Sequence, residues 1–134
     1  LSKFKQFCLF VCLFVCVETY CDGRQDGAQC YGALGGTVDI QLMDSTSEIP
    51  RIQLLKNSLV ILFVRNNKVI SNTIKHRSLL FPSNGTFKIN NLSRNDSGNY
   101  SFITFNSDGK ASDEPFFLKT YLLIQTSVFC TFYF

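Results

Sequence analysis

Short runs in which every second residue is apolar recur along most of this chain, and that spacing restricts what it can fold into. In Thr37–Leu42, "TVDIQL", Val38, Ile40 and Leu42 fall on one side and Thr37, Asp39 and Gln41 on the other, the pattern of a strand with one face buried. "TFKINNL" repeats it through Phe87, Ile89 and, after a small irregularity, Leu92. "YSFITF" sets Tyr100, Phe102 and Thr104 against Ser101, Ile103 and Phe105. Turn residues punctuate the runs at Gly35-Gly36, Asn57-Ser58, Asn66-Asn67, Ser83-Asn84-Gly85, Asp96-Ser97-Gly98 and Ser107-Asp108-Gly109, where Gly, Asn and Asp supply backbone conformations that other residues resist. Beyond the first residues no 12-residue stretch carries a helical apolar stripe. The expected fold class is therefore all-β, an antiparallel sandwich of two sheets.

Length and charge exclude several alternatives. A chain of 134 residues holds one domain of about 100 residues plus its ends. With 46% hydrophobic and only 17% charged residues it is neither a disordered tail nor a solvating acidic segment. The net charge of +3 comes from 13 basic and 10 acidic residues without a run of like charge, so no stripe exists to track a phosphate backbone, and no nucleic-acid partner is implied.

Residues 1–21 are of different material. Lys3 and Lys5 precede the unbroken apolar run Phe7–Val17, followed by Glu18-Thr19; a basic start, an apolar middle and a polar end describe a secretory signal peptide. The run is shorter than the roughly 20 residues a spanning helix needs. Cleavage is expected between Val17 and Asp22, which leaves 22–125 as the domain and 126–134, "TSVFCTFYF" (the last nine residues, all but the two threonines apolar or small), as an apolar tail. That tail is too short to span and lacks the small-residue site and polar spacer of a lipid-anchor signal. Cys8, Cys12 and Cys16 recur every four residues among Leu, Phe and Val, with none of the polar ligands a metal shell requires. Cys21 sits on the cleavage boundary. Cys30, at the start of the first edge strand, and Cys130, beyond the last strand, are expected not to pair with each other.

Four segments carry a family resemblance. "GGTVDIQL", "IQLLKN", "NGTFKINNL" and "SRNDSGNYSF" resemble, in order and spacing, strands B, C, E and F of a variable-type immunoglobulin domain, over residues 30–125. The resemblance implies an immunoglobulin-like sandwich but places the two bridging cysteines at Leu42 and Phe102 and the strand-C tryptophan at Leu54. All three positions are aliphatic or aromatic here, so the inter-sheet disulfide is absent. A bridge closing a loop of about 60 residues is worth about 4 kcal/mol; burial of a Leu42–Phe102 contact offsets much of that at about 1.5–3 kcal/mol per side chain. Tyr100 is left to form the tyrosine corner against the turn at Leu92–Asp96, and Arg77 with Asp96 to form the salt bridge that closes the base of such sandwiches.

The cysteine-free pair, with "GALGG" before strand B, resembles the membrane-distal domain of lymphocyte adhesion receptors of the signalling lymphocytic activation molecule (SLAM) type. That implies binding through the G-F-C-C′ sheet to a protein partner, homophilic or a related immunoglobulin-domain receptor on another cell. Alternation puts Gln53 and Leu55 of strand C and Ser101, Ile103 and Phe105 of strand F outward when Leu54, Tyr100 and Phe102 point in. Arg65, Lys68 and Lys110 rim this group, giving the anatomy of a protein-binding patch. The competing reading is scattered surface apolarity or a patch covered by the chain's own tail. "LVILFV" (Leu59–Val64) is apolar on both sides, so its register stays open.

Sequons stand at Asn84, Asn91, Asn95 and Asn99. Asn84, on a turn, is the best placed; Asn99, beside the packed Tyr100, the worst. Enzyme chemistry finds no support: His76 is the single histidine, without a nucleophile motif or a second ligand, and Asp113-Glu114 fit a solvated turn. No small-molecule substrate or cofactor is implied. Two further functions fit the same domain: a soluble secreted binder that occupies such a partner, and an antigen-receptor-like chain pairing through the same sheet. Membrane attachment is left open, since a fragment, a shortened product and a secreted form all fit; the expected location is the secretory pathway, at the cell surface or beyond it.

Overall fold

The computed structural model describes residues 17–46 and 49–122. Ten strands run in chain order: β1 (Glu18–Asp22), β2 (Ala28–Ala33), β3 (Thr37–Gln41), β4 (Arg51–Lys56), β5 (Leu59–Arg65), β6 (Lys68–Asn72), β7 (Ser78–Phe81), β8 (Thr86–Ile89), β9 (Gly98–Phe105) and β10 (Ala111–Tyr121). They form a smaller sheet ordered β1-β3-β8-β7 and a larger one ordered β2-β10-β9-β4-β5-β6. All-β sandwich architecture thus follows from the period-two runs. The β1–β3 and β2–β10 pairs are parallel and the others antiparallel. No helix among the described residues is long and apolar enough to cross a membrane.

Inward residues of both sheets fill one core. Val38 and Ile40 of β3 and Phe87 and Ile89 of β8 face Ile52 and Leu54 of β4, Leu62 and Val64 of β5, and Tyr100 and Phe102 of β9, all nearly or fully buried. Tyr100 stacks on Phe116 of β10, ring centroids 5.1 Å apart. Leu42, Leu54 and Phe102 all belong to this core, and Leu54 and Phe102 are register partners on adjacent strands. The β4–β5 and β5–β6 hairpins turn on Asn57-Ser58 and Asn66-Asn67, all four with positive φ, the mirror-type two-residue turn that matches strand twist and that asparagine tolerates. Gly85 (φ +68) is obligatory for a second reason: a Cβ there would lie 1.9 Å from the Met43 carbonyl oxygen.

The lower end of the sandwich is closed by polar bonds. A 3₁₀ turn at Arg94–Asp96 carries a capping box between Ser93 and Asp96. The Asp96 carboxylate accepts from the Arg77 guanidinium at 2.9 and 2.6 Å and from the Ser93 N–H at 2.8 Å, while its carbonyl accepts from the Tyr100 hydroxyl at 2.5 Å. Burial, then the Asp96 charge, push the Tyr100 phenol upward.

The N-terminal edge departs from expectation. The boundary set after residue 21 falls inside β1, because Glu18–Asp22 alternates as a strand on β3 and turns Cys21 inward, 8% exposed. Glu18, which with Thr19 marks the end of an apolar leader, also serves on the outer side of a strand. Cys21 is bonded to Cys30 of β2, with Cα atoms 5.4 Å apart, which joins an edge strand of the smaller sheet to one of the larger. For a loop this short the chain-entropy estimate is about 2–3 kcal/mol. Cys30 is thereby unavailable to Cys130, which lies outside the described residues, as do Cys8, Cys12 and Cys16 and the apolar tail.

Candidate interaction face

With Ile52, Leu54, Leu62, Val64, Tyr100 and Phe102 turned inward, the outer side of the larger sheet is built from their neighbours in three rows. Uppermost are Lys68, Arg65, Arg51, Phe105 and Ala111; next Ser71, Phe63, Gln53, Ile103 and Asp113; below them Leu55, Ser101 and Pro115. Phe63, Leu55, Ile103 and Phe105, the large apolar side chains of these rows, are half-buried. The Arg51 guanidinium sits 4.4 Å from the centroid of the Phe105 ring, a cation–π contact. Arg51, Arg65 and Lys68 form a basic upper corner, and exposed Lys110 in the β9–β10 turn, its backbone N–H on Asn106 Oδ1, extends it.

Gln53, Leu55, Arg65, Lys68, Ser101, Ile103, Phe105 and Lys110 thus lie on or beside one surface. Two members are additional to the sequence reading. Arg51 continues the outward alternation of Gln53 and Leu55 by one step and was legible from it. Phe63 was not, because its run is apolar on both sides and a bulge between Leu54 and Leu55 shifts the register. Leu59 and Val60 before it are exposed.

The outer side of the smaller sheet has a different character. Asp39 of β3, Glu18 of β1 and Lys88 of β8 meet there, with Lys88 Nζ 3.3 Å from Glu18 Oε2 and 3.9 Å from Asp39 Oδ1. Asp39 Oδ1 is buried without a hydrogen-bond partner. Burial first, then the hydrogen bond and charge of Glu18, push Asp39 up to about 7, with Lys88 opposing. Burial also pushes Glu18 upward, but the hydrogen bond from Asp39 and the Lys88 ammonium outweigh it and hold Glu18 below its ordinary value.

The signs of these two shifts differ. Between about pH 4 and pH 7 folded Asp39 keeps a proton that the unfolded chain has released, so its contribution to stability falls as pH rises through that window and stays low above it. Glu18 contributes in the opposite sense, losing stability as pH falls. Asp39→Asn removes the first dependence. Its urea midpoint should exceed that of the wild type by more at pH 8 than at pH 5; an equal or smaller gain at pH 8 refutes the pairing.

His76 is exposed in a 3₁₀ turn (Lys75–Arg77), and no group of three or more potential metal ligands occurs among the described residues. Asn84, Asn91, Asn95 and Asn99 are all exposed.

The chain superposes on solved structures of immunoglobulin-like domains. The first immunoglobulin-like domain of human CD48 antigen superposes with a TM-score of 0.62 at 16% identity, over 76% of this chain and 89% of that one. CD84, of the SLAM family, gives 0.61 at 16%, over 74% and 100%. The CD2-binding domain of CD58, lymphocyte function-associated antigen 3, gives 0.54 at 20%, over 78% and 54%.

The fold is that of a variable-type immunoglobulin domain.

No protein-family model matches the sequence and no curated protein matches it, so the likeness is one of structure. Within the immunoglobulin domain β3, β4, β8 and β9 stand as strands B, C, E and F, and the face described above is the G-F-C-C′ surface. Its resemblance to SLAM-type domains rests on the same superpositions.

Proposed function

We propose that this immunoglobulin domain is an extracellular recognition domain that binds another protein, of related fold, through the outer face of its six-stranded sheet. The observation that carries the reading is the group of Phe63, Leu55, Ile103 and Phe105, set around Gln53 beside a basic corner, on a sheet face that no other element of the described chain covers. Desolvated aromatic and aliphatic anchors dominate interface energetics, while charges at a rim govern encounter rate and salt dependence. The basic corner of Arg51, Arg65 and Lys68 calls for carboxylates opposite it on the partner. The similarity to the CD2-binding domain of CD58 and to CD84 supports a protein ligand on a cell surface. A secreted form of the domain would occupy the same partner with the same face.

The test is adhesion of beads coated with the domain, scored against one another and against lymphoid cells. Phe105→Glu should abolish adhesion without unfolding the domain. Leu79→Glu, at an exposed position on β7 of the opposite sheet, should leave it intact. Arg65→Glu and Lys68→Glu should slow association and weaken its salt dependence. Loss of adhesion in Leu79→Glu with retention in Phe105→Glu would show that the wrong sheet has been chosen. Lys88 is unsuited as a control because it balances two carboxylates.

A further inference from the structure

Of the four sequons, three cluster at the lower end of the sandwich and Asn84 lies at the upper β7–β8 turn. Asn91 and Asn95 belong to the connection between β8 and β9; Asn99 alone is on a strand of the larger sheet. Tyr100 points into the core, 2% exposed, so strand alternation directs Asn99 outward on the same side as Ser101, Ile103 and Phe105. The packing of the tyrosine therefore leaves the asparagine unobstructed.

The backbone of Asn99 is fixed by Asn57: its N–H donates to Asn57 Oδ1 at 3.1 Å and its carbonyl accepts from the Asn57 N–H at 2.8 Å. Its side-chain amide has no hydrogen bond among the described residues, and neither has the Ser101 hydroxyl, the third residue of the sequon. Along a strand Asn99 stands about 7 Å below Ser101, beside Leu55, and about 13 Å below Ile103. An oligosaccharide tethered at Asn99 lays the sugars next to its attachment over the lower row, the nearest of the three.

We propose that Asn99 is an N-glycan acceptor and that its oligosaccharide shields the Leu55–Ser101–Pro115 row, so that of the apolar group Leu55 is covered and Phe63, Ile103 and Phe105 are left to the partner. The shielding half of this inference rests on the functional reading above; the modification itself does not. In the transfer the Asn99 amide nitrogen forms a bond to the anomeric carbon of a lipid-pyrophosphate-linked oligosaccharide. The bond from that carbon to the pyrophosphate oxygen breaks, the amide proton is taken up by base, and the lipid pyrophosphate leaves. The acceptor pattern is supplied by Asn99-Tyr100-Ser101.

The experiment uses the full chain secreted from a eukaryotic cell. Peptide mass spectrometry after enzymatic glycan release in heavy-oxygen water should find Asn99 converted to labelled aspartate. Hydroxyl-radical footprinting of intact protein, compared with Asn99→Gln and with enzymatically deglycosylated protein, should show Leu55 and Pro115 several-fold less labelled when the glycan is present. Phe105 in the upper row and Leu79 on the other sheet should be labelled equally in all three, which also verifies the fold of the variant. An unmodified Asn99 in the secreted protein overturns the proposal. An occupied Asn99 with unchanged Leu55 labelling overturns the shielding. Neither result depends on bead adhesion, so failure here is separable from failure of the recognition face.

Discussion

Replacing Phe102 with alanine should lower the unfolding free energy by about 3–5 kcal/mol, the range for truncating a buried aromatic. Phe102 is 2% exposed and stands between Leu54 of β4 and Glu114 of β10 in register, with Leu42 across the sandwich in the same core. No disulfide ties β3 to β9, so packing alone holds the sheets together at this level. Phe102 and Leu42 also line an open cleft of about 360 Å³ with Arg24, Met43 and Glu114. Truncation would merge that cleft with the new void. The structure cannot easily collapse to fill it, because β9 is clamped between β4 and β10. Urea unfolding monitored by tyrosine fluorescence measures the loss. A change below about 1 kcal/mol would show that Phe102 does not carry the core at this position.

Asp96→Ala should cost a comparable amount, about 3–5 kcal/mol, by leaving one half of a largely buried ion pair without its partner. The side chains of Arg77 and Asp96 are only 19% and 7% exposed, so water replaces little of what is lost. Asp96 also accepts from the Ser93 N–H, and its carbonyl receives the Tyr100 hydroxyl; the turn that places that carbonyl is shaped by the capping box the mutation removes. Arg77→Met/Asp96→Leu should be less destabilised than Asp96→Ala, since no charge is then stranded. If the double variant loses the sum of the two single losses, the pair does not act as a unit.

Much of the architecture was legible because strand periodicity is a local property. Val38, Ile40 and Leu42, or Tyr100 and Phe102, declare their side of the sheet within a few residues, and one alternation step assigns Ser101, Ile103 and Phe105 to the opposite side. Gly85 and the Asn57-Ser58 and Asn66-Asn67 pairs declare turns equally locally, through the positive φ they accept. Phe63 resisted assignment because both sides of "LVILFV" are apolar. Only the bulge opposite Leu54 and Leu55 decides which side chains face out, and a bulge is set by the pairing of two strands.

By itself, then, the sequence determined that this protein is a two-sheet β-sandwich, where its turns fall and which residues of its central strands are buried, since each of these follows from spacing and backbone preference over short stretches. Tertiary structure decided that Glu18–Asp22 is a strand, that Cys21 pairs with Cys30, that Asp39 shares its surroundings with Glu18 and Lys88, and that Arg51 lies on Phe105. Those outcomes depend on which strands lie side by side, and the contacts that select strand neighbours join residues far apart along the chain.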